Sequence, residues 1–196
     1  MIILSIGTNI GDRERNIENA VKALGEIGKV GAVSPIYTSE PWGFESENGF
    51  YNIALILESE LSPLDLLRKT QRIEKELGRT TKTTTEYADR VIDIDIIDYD
   101  GQIITISQQS TVNSQQQNVV TQRVVSDDPM EQNNYQFSIL NFQLSILTLP
   151  HPLMHLRNFV LYPLADIAPE WRHPILKLTA QELKERSEDK SIPHKK

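Results

Sequence analysis

The chain has 196 residues, of which 39% are hydrophobic and 24% are charged, and its formal net charge at pH 7 is −7. This length favours one domain with a buried core. The absence of Cys excludes disulfides and thiolate chemistry. The negative charge argues against general binding of nucleic acid or anionic membranes. No apolar run is long enough for a membrane helix, and the first residues lack the basic flank of a signal peptide. We therefore expect a cytoplasmic protein, and a monomer because coiled-coil heptads are missing.

Residues 107–146 differ in composition from the rest of the chain, because half of them are Gln, Asn or Ser. Such polar, low-complexity sequence buries too little apolar surface to offset the entropy of ordering. We predict a largely disordered insertion that interrupts a single domain at residues 1–178. The alternative is an extra hairpin whose short strands are Val119–Val120 and Val124–Val125.

Outside the insertion, predicted strands and helices alternate. The predicted strands are 2–6, 30–37, 52–59 and 91–99, followed by a short return at 103–104 and an extended segment at 148–150. The first helix begins after the N-cap Asp12 and ends at Gly28, and the second begins at Ser62 and ends at Gly78. A third, short helix spans about 159–166.

The resulting order, β-α-β-β-α-β, predicts an α+β fold of the ferredoxin-like type with added C-terminal elements. Residues 179–196 are predicted to form a charged C-terminal tail. From Lys184 onward we expect a fraying helix end and a disordered terminus.

Two acids follow Arg90 at alternate positions of the last predicted strand. Side chains two apart on a strand share one face, so Asp93 and Asp95 lie side by side, opposite the isoleucines between them. Two neighbouring carboxylates repel each other unless a cation lies between them. Oxygen ligands at this spacing suit Mg²⁺, which binds through one or two carboxylates plus substrate phosphates. The alternative is an exposed strand face with solvated acids.

Basic side chains flank these acids, and Arg or His donors in such a set fit the oxygens of a metal-bound triphosphate. They are Arg79, Lys82, Arg90, His151, His155 and Arg157. The Thr-rich loop between the second helix and the acidic strand is predicted to act as a mobile lid. The segment from Gly7 to Gly11 lacks the spacing of a phosphate-binding loop, so we predict a structural turn that supports the site from behind.

The segment around Trp42 and Phe50 is predicted to be a loop, where large aromatic side chains usually serve a specific function. Stacking on a flat heterocycle is one such function. Asn52, at a strand start, offers both a donor and an acceptor to the amide edge of a ring.

These motifs, taken in order, resemble the 6-hydroxymethyl-7,8-dihydropterin pyrophosphokinase family of folate synthesis. The resemblance covers residues 1–106 and 147–178. Its most specific blocks are Arg90-x-x-Asp93-x-Asp95 and Pro150-His151-Pro152. The other matching segments are Gly7-Thr8-Asn9-x-Gly11-Asp12, Tyr51-Asn52, Gln71-Arg72-Ile73-Glu74, Gly78-Arg79 and Arg157-x-Phe159-Val160-Leu161.

The resemblance implies transfer of diphosphate from ATP to 6-hydroxymethyl-7,8-dihydropterin, with two Mg²⁺ ions as cofactors and AMP as the second product. It implies that Asp93 and Asp95 bind the metals and that Asp95, Arg79 and Arg90 take part in catalysis. The implied ATP contacts are Gln71, Glu74, Arg79, Lys82, Tyr87, Arg90, His151 and Arg157. The implied pterin contacts are Ser39, Trp42, Phe50, Asn52, Asp93 and Phe159.

Two other functions remain compatible with the residues. One is another Mg²⁺-dependent nucleotidyl- or phosphotransferase on the same scaffold, which releases ADP or pyrophosphate instead of AMP. The other is a non-catalytic ferredoxin-like module that binds ligand without turnover. The complete set of acids and arginines argues against the second.

Overall fold

A computed structural model describes residues 1–79, 88–108, 120–124 and 145–196 of the chain. The strands and helices, in order, are β1 Ile2–Thr8, α1 Arg13–Leu24, β2 Lys29–Val33, β3 Tyr37–Ser39, β4 Phe50–Glu58, α2 Pro63–Glu76, β5 Asp93–Tyr99, β6 Ile104–Gln108, β7 Val120–Val124, β8 Ser145–Leu149, α3 Asn158–Ile167, α4 Ala180–Glu185 and β9 His194–Lys195. A 3-10 turn at Met154–Leu156 precedes α3. No described helix has the length and apolar character needed to cross a membrane.

The main sheet is antiparallel, with the order β5-β1-β4-β3-β9, and β2 also pairs with β4. Strand β1 pairs with β4 on one side and with β5 on the other, so β5 forms one edge of this sheet. A second sheet has the order β7-β6-β8. The mixed arrangement of helices and antiparallel sheet confirms the predicted α+β, ferredoxin-like fold.

Two apolar clusters cover the two faces of the main sheet. On the first face, side chains of α1 and α2 such as Leu24 and Leu66 pack with Ile94 and Ile96 of β5. On the second face, α3 and α4 pack with Ile3, Ile97 and their neighbours. Asp93 and Asp95 alternate with Ile94 and Ile96 along β5, so the two acids lie on the second face.

Glycine and proline end or interrupt the elements at other places than predicted. Helix α1 ends at Leu24 with Gly25 as its C-cap, and Gly28 instead allows a close approach, since a Cβ there would lie 2.5 Å from the carbonyl oxygen of Glu58. The strand predicted at 30–37 is broken into β2 and β3 around Pro35, as expected where a ladder donor is missing.

The return strand after the Asp100–Gly101 turn does not pair with β5. Instead, β6 pairs with β7 and β8. Strand Val120–Val124 lies inside the predicted insertion, but it is one strand that pairs with β6 and not a hairpin of Val119–Val120 with Val124–Val125. Residues 109–119 and 125–144 lie outside the described residues, and their disorder and the limits of the domain stay predictions.

The prediction of a disordered C-terminus was wrong. Helix α4 has a complete capping box at Thr179, and β9 pairs with β3 at the edge of the main sheet. The backbone N–H of Lys196 also donates to the carbonyl oxygen of Ile36 at 2.9 Å. High charge alone did not prevent packing, because these residues find backbone and side-chain partners on the domain.

Candidate active site

The two predicted metal-binding acids lie on the edge strand β5. Asp93 is opposite Gly7 and Asp95 is opposite Ser5 in the register with β1. Both acids are partly buried, whereas Ile94 between them is buried in the cluster on the opposite face. The predicted pair of carboxylates on one face is therefore present.

A β-bulge ends this regular alternation further along β5. The register with β1 shifts between Ile3 and Leu4, so that Ile97 has no partner of its own. Ile97 packs in the same cluster as Ile3, whereas Tyr99 packs on the opposite face. The bulge therefore changes which side chains face the site, as bulges commonly do.

Two arginines converge on Asp93, which makes it the centre of a charged network. Nη1 of Arg79 donates to one carboxylate oxygen of Asp93, and Nη1 of Arg90 donates to the other. The same Nη1 of Arg79 also donates to Glu74 Oε1. Burial disfavours the charged form of Arg79, but Asp93 and Glu74 outweigh this effect and raise the pKa of Arg79.

Glu74 anchors this network to the end of α2. Its Oε1 accepts the backbone N–H of Ile94 at 2.7 Å, which links the helix to the acidic strand. The Glu74 side chain is buried, whereas Gln71, one turn earlier on α2, is exposed. The structure thus brings Glu74 into the network and leaves Gln71 on the rim.

The segment after β1 forms hydrogen bonds with Arg90 and with the neighbouring Asp89. The side chain of Asn9 accepts the backbone N–H of Arg90 at 2.7 Å and donates to Asp89 Oδ1 at 2.7 Å. The backbone N–H of Asn9 donates to the carbonyl oxygen of Arg90 at 3.1 Å. These bonds support the predicted structural turn. The role of Asn9 was not predicted, although Asn9 belongs to a matching segment, because its partners Asp89 and Arg90 are far along the chain.

His151 and Arg157 enter from the chain after β8. The backbone N–H of His151 donates to the carbonyl oxygen of Ile97 at 2.9 Å, so this segment lines the open edge of β5. Burial lowers the pKa of His151, an effect that Asp95 opposes. Arg157 is buried, with its guanidinium carbon 4.6 Å from the ring centroid of Trp42 and 5.6 Å from that of Phe159.

Two of the predicted pterin-binding residues, Asn52 and Ser39, form a polar pair. Asn52 and Asp93 are both opposite Gly7, so Asn52 shares the face of the acids. Asn52 is buried, and its Nδ2 donates to Ser39 Oγ at 2.9 Å. A Cβ at Gly7 would lie 3.1 Å from Asn52 Oδ1, so glycine there leaves room for the amide. Phe50 begins β4 beside them, and the guanidinium carbon of Arg90 is 5.8 Å from its ring centroid.

Three of the basic and aromatic candidates are not part of this arrangement as described. Lys82 and Tyr87 lie outside the described residues. The ring of His155 makes an edge-on contact with that of His173, with the ring centroids 6.2 Å apart. Its burial lowers the pKa of His155, which is unfavourable for a phosphate-binding cation.

An α+β fold whose edge strand carries two acids, with arginines and aromatic side chains near them, fits the class of enzymes that transfer phosphoryl groups to a ring-bearing acceptor. The comparison with known proteins defines that class more closely. The chain belongs to the 7,8-dihydro-6-hydroxymethylpterin-pyrophosphokinase family, whose model matches residues 3–169. The resemblance drawn from the motifs is thereby confirmed.

Two bacterial relatives are similar over nearly their whole length. The 2-amino-4-hydroxy-6-hydroxymethyldihydropteridine pyrophosphokinase of Porphyromonas gingivalis is 38% identical over 89% of this chain and 94% of the relative. The enzyme of the same name from Aquifex aeolicus is 30% identical over 93% of this chain and 89% of the relative. The folic acid synthesis protein FOL1 of Dictyostelium discoideum is 34% identical, but this chain spans only 22% of it.

Solved structures with the same fold include a protein described as HPPK-DHPS in complex with substrates. It superposes with a TM-score of 0.63 at 18% identity, covering 94% of this chain and 42% of that one. The wild-type HPPK-DHPS of Plasmodium falciparum gives a TM-score of 0.63 at 17% identity over 94% of this chain and 44% of that one. At this low sequence identity, the structural similarity supports a shared fold and nothing further.

Proposed function

We propose that the chain transfers diphosphate from ATP to 6-hydroxymethyl-7,8-dihydropterin, giving AMP and the pterin diphosphate in folate biosynthesis. Membership of the pyrophosphokinase family supports this activity. The single structural observation that carries the proposal is the position of Asp93 and Asp95. They share one face of β5, where Asp93 pairs with two arginines and the buried amide of Asn52 lies on the same face.

The donor set at the acids fits Mg²⁺ as far as the protein supplies ligands. Among the described residues, no three His, Cys, Asp or Glu side chains are grouped for a metal ion. Mg²⁺ does not require such a cage, because it keeps several waters and binds one or two carboxylates together with substrate phosphates. Asp93 and Asp95 would hold it, and bound Mg²⁺ would supply neutralisation of the triphosphate charge. We propose two ions, in keeping with the resemblance.

The arginine network is organised to exchange carboxylate partners for phosphate. Arg79 and Arg90 each donate to Asp93, and their forked guanidinium groups have further N–H donors. Phosphate oxygens are suitable acceptors for those donors. Arg157, on the opposite wall, brings a third cation to the same face. Catalysis then rests mainly on positioning and on electrostatic stabilisation of the transferring group.

His151 is suited to donate a neutral hydrogen bond to a phosphate oxygen. Its Nδ1 accepts the backbone N–H of Leu153 at 3.3 Å. A neutral imidazole with an accepting Nδ1 carries its proton on Nε2. Because burial lowers the pKa of His151, the ring stays neutral near pH 7 and Nε2 acts as a fixed donor.

The pocket around Asn52 is proposed to bind the pterin. The amide of Asn52 offers its Oδ1 to the amino group of the heterocycle, since its Nδ2 is directed to Ser39. Phe50 and Phe159 are proposed to stack on the ring, and Trp42 closes the pocket with Arg157 against it. Asp95 is proposed to assist deprotonation of the acceptor hydroxyl.

The experiment is incubation of the chain with ATP, Mg²⁺ and 6-hydroxymethyl-7,8-dihydropterin, followed by separation of the nucleotides. Release of AMP with formation of the pterin diphosphate supports the proposal. Release of ADP or pyrophosphate favours the alternative transferase, and absence of turnover contradicts both. A monomeric state and a cytoplasmic location remain part of the proposal.

A further inference from the structure

The C-terminal segment 186–196, here called the C-terminal strap, packs against the candidate site although it lies beyond the family match, which ends at residue 169. It follows α4, passes the first turn of α3 and ends as β9 on the edge of the main sheet. The first turn of α3 is the part of the fold that carries Arg157 and Phe159. The contacts of the strap are therefore relevant to the site.

The strap supplies the cap that α3 lacks. The N-cap residue of α3 is Arg157, whose side chain makes no capping hydrogen bond. Instead, Asp189 Oδ2 accepts the backbone N–H of Asn158 at 2.9 Å. The first N–H groups of a helix need such an acceptor, and a carboxylate also interacts favourably with the helix dipole.

The capping carboxylate is itself fixed by the strap. Its Oδ1 accepts the backbone N–H of Ser191 at 2.9 Å and the hydroxyl of Ser191 at 2.7 Å. Asn158 returns the contact, since its Nδ2 donates to the carbonyl oxygens of Asp189 at 2.8 Å and Ser191 at 2.6 Å. Asn158 is buried, and it lies between Arg157 and Phe159 in the chain. These mutual hydrogen bonds therefore hold the backbone between two site residues.

The other end of the strap pairs with β3, on the side of the site that leads to Ser39 and Trp42. Strand β9 pairs with β3, with Tyr37 opposite Lys195. Nζ of Lys195 is 2.9 Å from Asp166 Oδ2 on α3, which also accepts the hydroxyl of Tyr37 at 2.7 Å. The strap thus joins α3 to the strand that leads through Ser39 to Trp42.

We propose that the C-terminal strap is a positioning element for substrate binding and that Asp189 is its key residue. By capping α3, Asp189 holds Arg157 and Phe159 in register with Trp42, where the two walls of the pocket meet. Asp189 itself contacts the helix rather than the substrates, so it is a positioning residue. The proposal rests on the proposed function, since it concerns binding of the same pterin and nucleotide.

The test compares Asp189→Ala with Asp189→Asn and with Glu188→Ala. Glu188 is exposed on the same strap, so its replacement removes the same charge without touching the cap. The dissociation constant of 6-hydroxymethylpterin is measured by calorimetry with a non-hydrolysable ATP analogue and Mg²⁺, well below the melting temperature. Loss of a cap predicts that Asp189→Ala weakens binding about 3- to 10-fold. Asn has one acceptor oxygen, whereas both oxygens of Asp189 accept N–H groups, so binding by Asp189→Asn should lie between that of the wild type and that of Asp189→Ala.

Amide hydrogen exchange gives a second measurement that does not depend on ligand. We expect faster exchange at Asn158 in Asp189→Ala and no change in Glu188→Ala. A dissociation constant that is unchanged in Asp189→Ala, or weakened equally in Glu188→Ala, overturns the proposal even if stability falls. Release of AMP by the wild type is assayed separately, so failure of the proposed reaction is distinguished from failure of the strap.

Discussion

Replacing Arg79 with Met tests whether the arginine network holds two acids in the folded state. Met keeps a long apolar side chain but removes the guanidinium that donates to both Glu74 and Asp93. In the wild type, the side chains of these three residues are only 10%, 9% and 13% exposed, in the order Arg79, Glu74 and Asp93. The substitution therefore leaves two nearly buried carboxylates with less compensating charge.

The expected loss of stability follows from this burial. Removing one partner of a fully buried ion pair costs about 3–5 kcal/mol. Asp93 keeps its contact with Arg90, and Glu74 keeps the N–H of Ile94, so we expect about 2–4 kcal/mol at pH 7. The expected loss of stability comes from the poorly solvated carboxylates of Glu74 and Asp93 rather than from lost apolar packing.

The loss should depend on pH in a defined direction. Without Arg79, we expect the nearly buried Glu74 carboxyl to take up a proton more readily in the folded variant than in the unfolded chain. The folded variant then binds more protons than the unfolded one, so its stability rises as the pH falls from 7 to 5. The difference from the wild type should become smaller over that interval.

Urea denaturation at pH 7 and pH 5 measures both effects. The control is Arg72→Met on the same helix, where Arg72 bonds Glu76 at 2.7 Å but the two side chains are 71% and 59% exposed. Exposed pairs of this kind contribute about 0.3–0.5 kcal/mol. A loss in Arg79→Met no larger than in this control, or a loss that grows at pH 5, would refute the reasoning.

The remaining predictions concern catalysis, the pterin pocket and the insertion. Asp95→Ala should lower the rate of AMP release by about 10²-fold or more, while its melting temperature is equal or higher because repulsion from its neighbour is relieved. Asn52→Ala should raise the KM of the pterin about tenfold with the KM of ATP little changed, since one buried amide contact is lost. Joining Gln108 to Ser145 by an Asn-Gly turn in place of residues 109–144 removes the outer strand β7. It should still leave the melting temperature, measured by circular dichroism, within a few degrees, because β6 and β8 stay antiparallel neighbours. A fall of more than about 10 °C would show that the replaced residues stabilise the fold.

The parts of the fold that the sequence predicted best are those with a local physical signal. The N-caps Asp12 and Ser62 were predicted from residue type, because short polar side chains at this position accept a backbone N–H of the first turn. In the structure, each side chain accepts the backbone N–H three residues on. The shared face of Asp93 and Asp95 followed from the two-residue period of a strand. Both signals depend only on near neighbours, and the structure contains both features.

The features that the sequence did not reveal depend on partners far along the chain. Asp189 caps a helix that begins 31 residues earlier, so no local pattern of caps marks it. Asn9 bonds Arg90 across a separation of 81 residues. The order of the C-terminus and the pairing of β6 with β8 are likewise set by tertiary contacts, which override composition and turn signals.

The place of β5 at the edge of the main sheet explains how the chain can accommodate so long an addition next to its reactive centre. Strands β1 and β4 form the interior of the sheet, and their pairing is complete without any residue after β5. Length variation between β5 and α3 therefore changes the border of the molecule, while the pairing of β5 with β1 that holds the acids keeps its register. An edge location lets evolution lengthen the surrounding segments without rebuilding the scaffold on which the chemistry rests.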